Sequence, residues 1–127
     1  MAMAFWFYML AADLLLPLLM VLLGRRFRTR PPAEINGVYG YRTARSMKSR
    51  ETWDFAHRYI GGLWVRLGLV LLPLSVLPLL FVWGKDPDVV GTVSAAVCLI
   101  QLIPLLASLV PTERALARTF DENGERR

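Results

Sequence analysis

Three apolar runs, each long enough to cross the hydrocarbon core of a bilayer, constrain this chain more than any other feature. They cover residues 3–24, 60–83 and 89–111. A helix rises about 1.5 Å per residue, so roughly 20 residues span a core about 30 Å thick. Backbone polar groups inside lipid must find partners within the segment, which makes each run a helix. Asp13 is the one charge in the first run, Arg66 lies near the start of the second, and the third has none. The expected fold is an all-α integral membrane protein, a single membrane domain over 1–127. It has three transmembrane helices, a structured motif loop and helix over 25–59, and a polar tail over 112–127.

Charge and apolar residues are segregated along the chain rather than interspersed. Of its 127 residues 55% are hydrophobic, yet it carries 15 Lys and Arg against 10 Asp and Glu, for a net charge of +5. Basic residues cluster just beyond the apolar runs, where anionic headgroups lie, so membrane lipids are the expected partner and nucleic acid is not. Cys98 and His57 each stand alone in their type, too few for an internal disulfide or a zinc site. No metal and no cofactor is expected. The first run lacks a basic leader and is followed by Arg25, Arg26, Arg28 and Arg30, the pattern of a retained span rather than a signal peptide. Nine Lys and Arg residues lie between Gly24 and Tyr59, but only Lys85 lies in the turn Gly84–Asp88. The positive-inside rule then places the long loop and the C-terminus in the cytoplasm and the N-terminus outside.

The loop carries most of the information. Pro31-Pro32 ends any helix continued from the first span, and Asn36-Gly37 and Gly40 mark turns. Ser49 suits an N-cap, with Glu51 in the first turn. Trp53, His57, Ile60 and Trp64 then share one helix face, and Asp54 and Arg58 are spaced for an i, i+4 pair. This helix is expected to run into the second span, bending at Gly61-Gly62. The tryptophans read either as interfacial anchors or as the wall of a pocket. Arg42, Arg45, Lys48 and Arg50, interleaved with Thr43, Ser46 and Ser49, are either a solvated basic loop or a site for a phosphate or carboxylate.

Residues 36–62 resemble the SdpI family of bacterial membrane proteins. The match rests on Asn36, Gly40-Tyr41-Arg42-Thr43, Ser46-Met47, Ser49, Trp53 and His57-Arg58. It departs at Ala44, where the family often has Pro, and in having three spans rather than the larger number of the best-known member. That member is an immunity protein against a secreted killing peptide, so the resemblance implies a bacterial cell-membrane protein that protects against a membrane-active peptide toxin by non-covalent binding. It also implies that Asn36, Gly40, Arg42, Thr43, Ser46, Ser49, Trp53 and His57 form a site, which either binds a ligand or fastens the loop to the bundle.

Asp13 is costly in lipid and calls for a partner. Arg66 and Gln101 are the two candidates within the spans. Three function classes follow: a peptide-binding immunity protein that is not an enzyme, a lipid-phosphate enzyme using His57 as acid or base, and a transport or accessory subunit relying on Asp13, which as a transporter would require a homo-oligomer. The last residues, from Asp121 to Arg127, read as a frayed polar tail.

Overall fold

The computed structural model describes residues 2–127; Met1, the first residue of the expected membrane domain, lies outside them. The described residues form four helices, α1 (Ala2–Thr29), α2 (Arg50–Phe81), α3 (Pro87–Ala107) and α4 (Leu109–Thr119). Three helical stretches are long and apolar enough to cross a membrane, with α3 and α4 together making the third. The protein is an all-α, multi-pass membrane protein.

Helix α2 starts where the sequence places it. Ser49 accepts from the Thr52 backbone N–H at 3.1 Å, and Thr52 Oγ1 accepts from the Ser49 N–H at 2.9 Å, a reciprocal cap. The helix then runs unbroken through Gly61-Gly62 to Phe81, so these glycines make no hinge. Gly61 serves close approach instead. A Cβ at 61 would lie 2.5 Å from the Gly24 carbonyl oxygen and 2.7 Å from the Arg28 nitrogen. Helices α1 and α2 are antiparallel, and without a hydrophobic driving force between apolar helices such backbone proximity is what holds them. One end of the pair is closed by Trp6, whose indole N–H donates to the Leu79 carbonyl at 2.7 Å. At the other end Arg58 donates to the Arg28 carbonyl at 3.1 Å. Arg58 does not pair with Asp54, which bonds Arg50 at 3.3 Å.

Between α3 and α4 the chain breaks at Ser108. Pro111 has no N–H to give the Ala107 carbonyl, and Ser108 Oγ donates to the Leu105 carbonyl at 2.6 Å. The Trp64 indole N–H donates to the same hydroxyl at 3.0 Å and ties the break to α2.

The tail is not frayed. Phe120 is buried and pairs with Arg126 across a closed turn in which the Asp121 N–H donates to the Glu125 carbonyl at 2.8 Å. Asp121 Oδ1 accepts from the Asn123 and Glu125 N–H groups. This hairpin sits against the start of α2, where Ser49 Oγ donates to the Gly124 carbonyl at 2.8 Å and Arg126 pairs with Glu51 at 3.1 Å. A buried aromatic anchor and two links to α2 supply what a polar segment lacks on its own.

Candidate functional site

The motif loop folds back onto the first turns of α2. Gly40 has φ +118°, a conformation that other residues rarely adopt, and a Cβ there would lie 2.7 Å from His57 Nε2. That turn presents the Tyr41 N–H to His57 Nε2 at 2.7 Å. The other ring nitrogen, Nδ1, lies 2.7 Å from the Trp53 carbonyl. A carbonyl only accepts, so Nδ1 carries the proton and Nε2 is the acceptor: His57 is neutral, with both nitrogens engaged. Burial lowers its pKa, partly offset by the Trp53 carbonyl bond and the charge of Asp54.

Around this centre the remaining motif residues spend their polar groups on one another. Ser46 Oγ donates toward the Tyr41 carbonyl at 2.9 Å and accepts from the Thr43 N–H at 2.9 Å, while the Ser46 carbonyl accepts from Thr52 Oγ1 at 3.0 Å. The Trp53 indole donates to the Pro32 carbonyl at 3.0 Å. Trp53 and His57 are fully buried, so Trp53 is a core residue under the loop, not an anchor facing lipid.

Glu113, from α4, completes the arrangement. Its Oε2 accepts from Tyr41 Oη at 2.6 Å and from Thr43 Oγ1 at 2.9 Å, joining the loop to the last helix. Burial, and next the Glu113 carboxylate, push the Tyr41 phenol pKa upward. Sequence reasoning missed Glu113 because it lies 70 residues beyond Thr43; its only local signal is an acidic group early in a short helix.

The basic residues of the loop diverge. Arg42 donates to the Gly37 carbonyl at 2.6 Å, and Arg50 bonds the Ala33 carbonyl and Asp54. Arg45 and Lys48 face a groove of about 450 Å³ beside the tail, together with Asp121 and Glu122. Asn36 shapes the turn before Gly40, its Oδ1 accepting from the Val38 and Tyr39 N–H groups at 2.9 and 2.6 Å.

A family model described as the SdpI/YfhL protein family matches residues 33–112, the stretch that holds all of this motif except Glu113. The chain belongs to the SdpI/YfhL family. Its similarity extends to "Uncharacterized protein YfhL" of Bacillus subtilis (strain 168), 32% identical over 113 residues that cover 85% of this chain and 89% of that protein. No solved structure matches the chain. In this chain the motif residues are held in a hydrogen-bonded joint between loop, α2 and α4.

Within the spans Asp13 centres a separate polar cluster that leaves Arg66 out. Asp13 is fully buried and does not meet Arg66, which is exposed and donates to the Gly62 carbonyl at 3.4 Å. At about 100° per residue, Arg66 points some 140° from Gly61 and 160° from Gly68, the α2 residues that face α1. Asp13 Oδ1 instead accepts from Ser94 Oγ at 2.6 Å and Cys98 Sγ at 3.1 Å. Gln101 Nε2 donates to the Asp13 carbonyl at 2.6 Å and to Ser75 Oγ at 2.7 Å. That carbonyl is free because Pro17, four residues on, has no N–H to offer it. Gln101→Leu should therefore cost about 1 kcal/mol, as interhelical bonds in lipid do. The cost should shrink in a Pro17→Ala background, where the residue 17 N–H takes up the carbonyl. A double-mutant cycle of unfolding in mixed micelles checks this; equal costs in both backgrounds would refute the coupling.

Proposed function

We propose that this protein is an immunity-type member of the SdpI/YfhL family, protecting a bacterial cell against a membrane-active killing peptide by non-covalent binding, with its N-terminus outside and its loop and C-terminus in the cytoplasm. The observation that carries the reading is the family match over residues 33–112, which begins in the motif loop and runs into α4. The arrangement of that loop fits a binding role better than lipid-phosphate chemistry. Both His57 nitrogens are engaged and buried, which leaves no lone pair to act as a general base. The hydroxyls of Thr43 and Ser46 are bonded within the joint. A rigid surface with its polar groups already paired recognises a partner by shape and by its exposed side chains. The orientation follows the bias of basic residues toward one end of the helices.

The test is survival of a bacterium sensitive to sporulation-delay-type peptides, expressing this protein or an abundance-matched Arg42→Ala variant. Arg42 holds the exposed turn through Gly37. Its loss should weaken protection roughly tenfold, equivalent to about 1.4 kcal/mol of binding. Equal protection by the two proteins would remove the loop from the mechanism, and no protection by the parent against a peptide panel would count against the immunity reading itself.

A further inference from the structure

Two signature residues, Asn36 and Arg42, use their hydrogen bonds to hold out an apolar loop tip. Asn36 bonds the Val38 and Tyr39 N–H groups and, through Nδ2, the Glu34 carbonyl, while Arg42 bonds the Gly37 carbonyl. The side chains this turn presents are Ile35, Val38 and Tyr39, all exposed, with Val38 at 88%. Polar residues that rigidly display a valine point to an apolar environment around it.

The fold fixes where that environment lies. The Tyr39 ring packs on Phe27, with centroids 5.6 Å apart. Phe27 lies four residues beyond Leu23, the last apolar residue of the first run, or about 6 Å along the helix. The headgroup layer on each side of a bilayer is about 5–7 Å thick. The tip therefore stands at headgroup depth. Beside it opens a cleft of about 530 Å³ lined by Arg26, Arg30, Glu34, Asn36 and Tyr39 among others. Arg26 and Arg30 are one helical turn apart and exposed, and neither side chain has a hydrogen-bond or ion-pair partner among the described residues. Glu34 is the one acidic group lining the cleft.

We infer that this cleft and loop tip form a binding site for an anionic phospholipid, its phosphate between the Arg26 and Arg30 guanidinium groups and its glycerol and upper acyl carbons against Val38 and Ile35. Guanidinium pairs suit phosphate oxygens, and the aliphatic tip suits the carbons just below them. The site does not depend on the immunity reading, since it concerns the lipid that any member of this bundle meets at that depth.

The experiment places an environment-sensitive fluorophore at Val38→Cys in a Cys98→Ser background, where the substituted hydroxyl still donates to Asp13. The labelled protein is reconstituted in phosphatidylcholine vesicles with or without phosphatidylglycerol, with a trace lipid carrying a nitroxide on its headgroup. The control label is at Glu122→Cys, in the exposed tail beside Ser49, about 16 Å beyond the apolar run of α2. The label at 38 should emit further to the blue and be quenched several-fold more than the label at 122, and phosphatidylglycerol should increase that quenching. Arg26→Gln/Arg30→Gln should abolish the increase. Lipid retention by the unlabelled protein in native mass spectrometry gives an independent reading: the double variant should bind phosphatidylglycerol roughly thirtyfold more weakly, the ordinary effect of two basic residues at an anionic surface. Equal quenching at 38 and 122 would overturn the membrane contact and leave the tip to a soluble partner. Phosphatidylglycerol retention unchanged in the double variant would overturn the arginine site.

Discussion

One methyl group at position 61 is expected to destabilise the protein by about 2–3 kcal/mol, while the same group one residue later stabilises it by up to ~1 kcal/mol. In Gly61→Ala the new Cβ would sit 2.5 Å from the Gly24 carbonyl oxygen and 2.7 Å from the Arg28 nitrogen. Both are backbone atoms of α1, so no rotamer change relieves the clash and the helices must part. Separation would also strain the Arg58 bond to the Arg28 carbonyl, which lies at the same crossing. In Gly62→Ala the nearest atom is Arg28 Cδ at 3.8 Å, ordinary contact with a flexible side chain, and alanine is the better helix former. Denaturation in mixed micelles, with steady-state abundance in the membrane, checks the pair. Similar behaviour of the two variants would mean that α1 and α2 do not meet through Gly61.

This contrast also marks what could be read from the sequence. The three spans were legible because lipid leaves a chain few options: an uninterrupted apolar run of this length becomes a helix. Ser49 was legible as the start of α2 because capping is local chemistry, and Trp53, His57, Ile60 and Trp64 were legible as one helix face because 3.6-residue periodicity is local too; that Trp53 and His57 are buried depends on the loop that folds over them. Gly61-Gly62 read as a bend because glycine is a weak helix former in isolation; which of the two touches a neighbour depends on a crossing that no local pattern encodes.

The long-range bonds were harder to see. Glu113 accepts hydrogen bonds from residues some 70 positions away and lies in what read as the start of a polar tail. The tail hairpin read as frayed because its order comes from the buried Phe120 ring and from Ser49 and Glu51 on α2, far away in sequence. For Asp13, Gln101 was a visible candidate partner. Arg66 was the stronger one on charge, but its angle on α2 turns it away. Ser75 and Ser94 gave no signal at all, since a serine within a span is commonplace until a carboxylate or an amide is found opposite it.

The second large effect belongs to His57. His57→Ala should cost about 3–4 kcal/mol, because it leaves the buried Tyr41 N–H without an acceptor and opens a cavity beneath Gly40. His57→Gln, whose amide oxygen can accept from Tyr41, should recover part of that loss. The pair separates the bond from the packing, but pH gives the sharper diagnosis. His57 precedes the apolar run that begins at Ile60, and its pKa in the folded protein is lowered by burial from an ordinary value of 6.5. The unfolded chain therefore takes up a proton that the native state refuses, since a second ring proton would point at the Tyr41 N–H. Stability that is fully present above about pH 6.5 must then decline as the pH falls below it, levelling off only beneath the lowered folded value. Unfolding midpoints measured from neutral to mildly acidic pH should fall for the wild type and stay flatter for His57→Gln. If the two proteins lost stability in parallel on acidification, the proton would be entering elsewhere, and the neutral His57 bridge between loop and helix would not be what fixes the SdpI/YfhL motif in place.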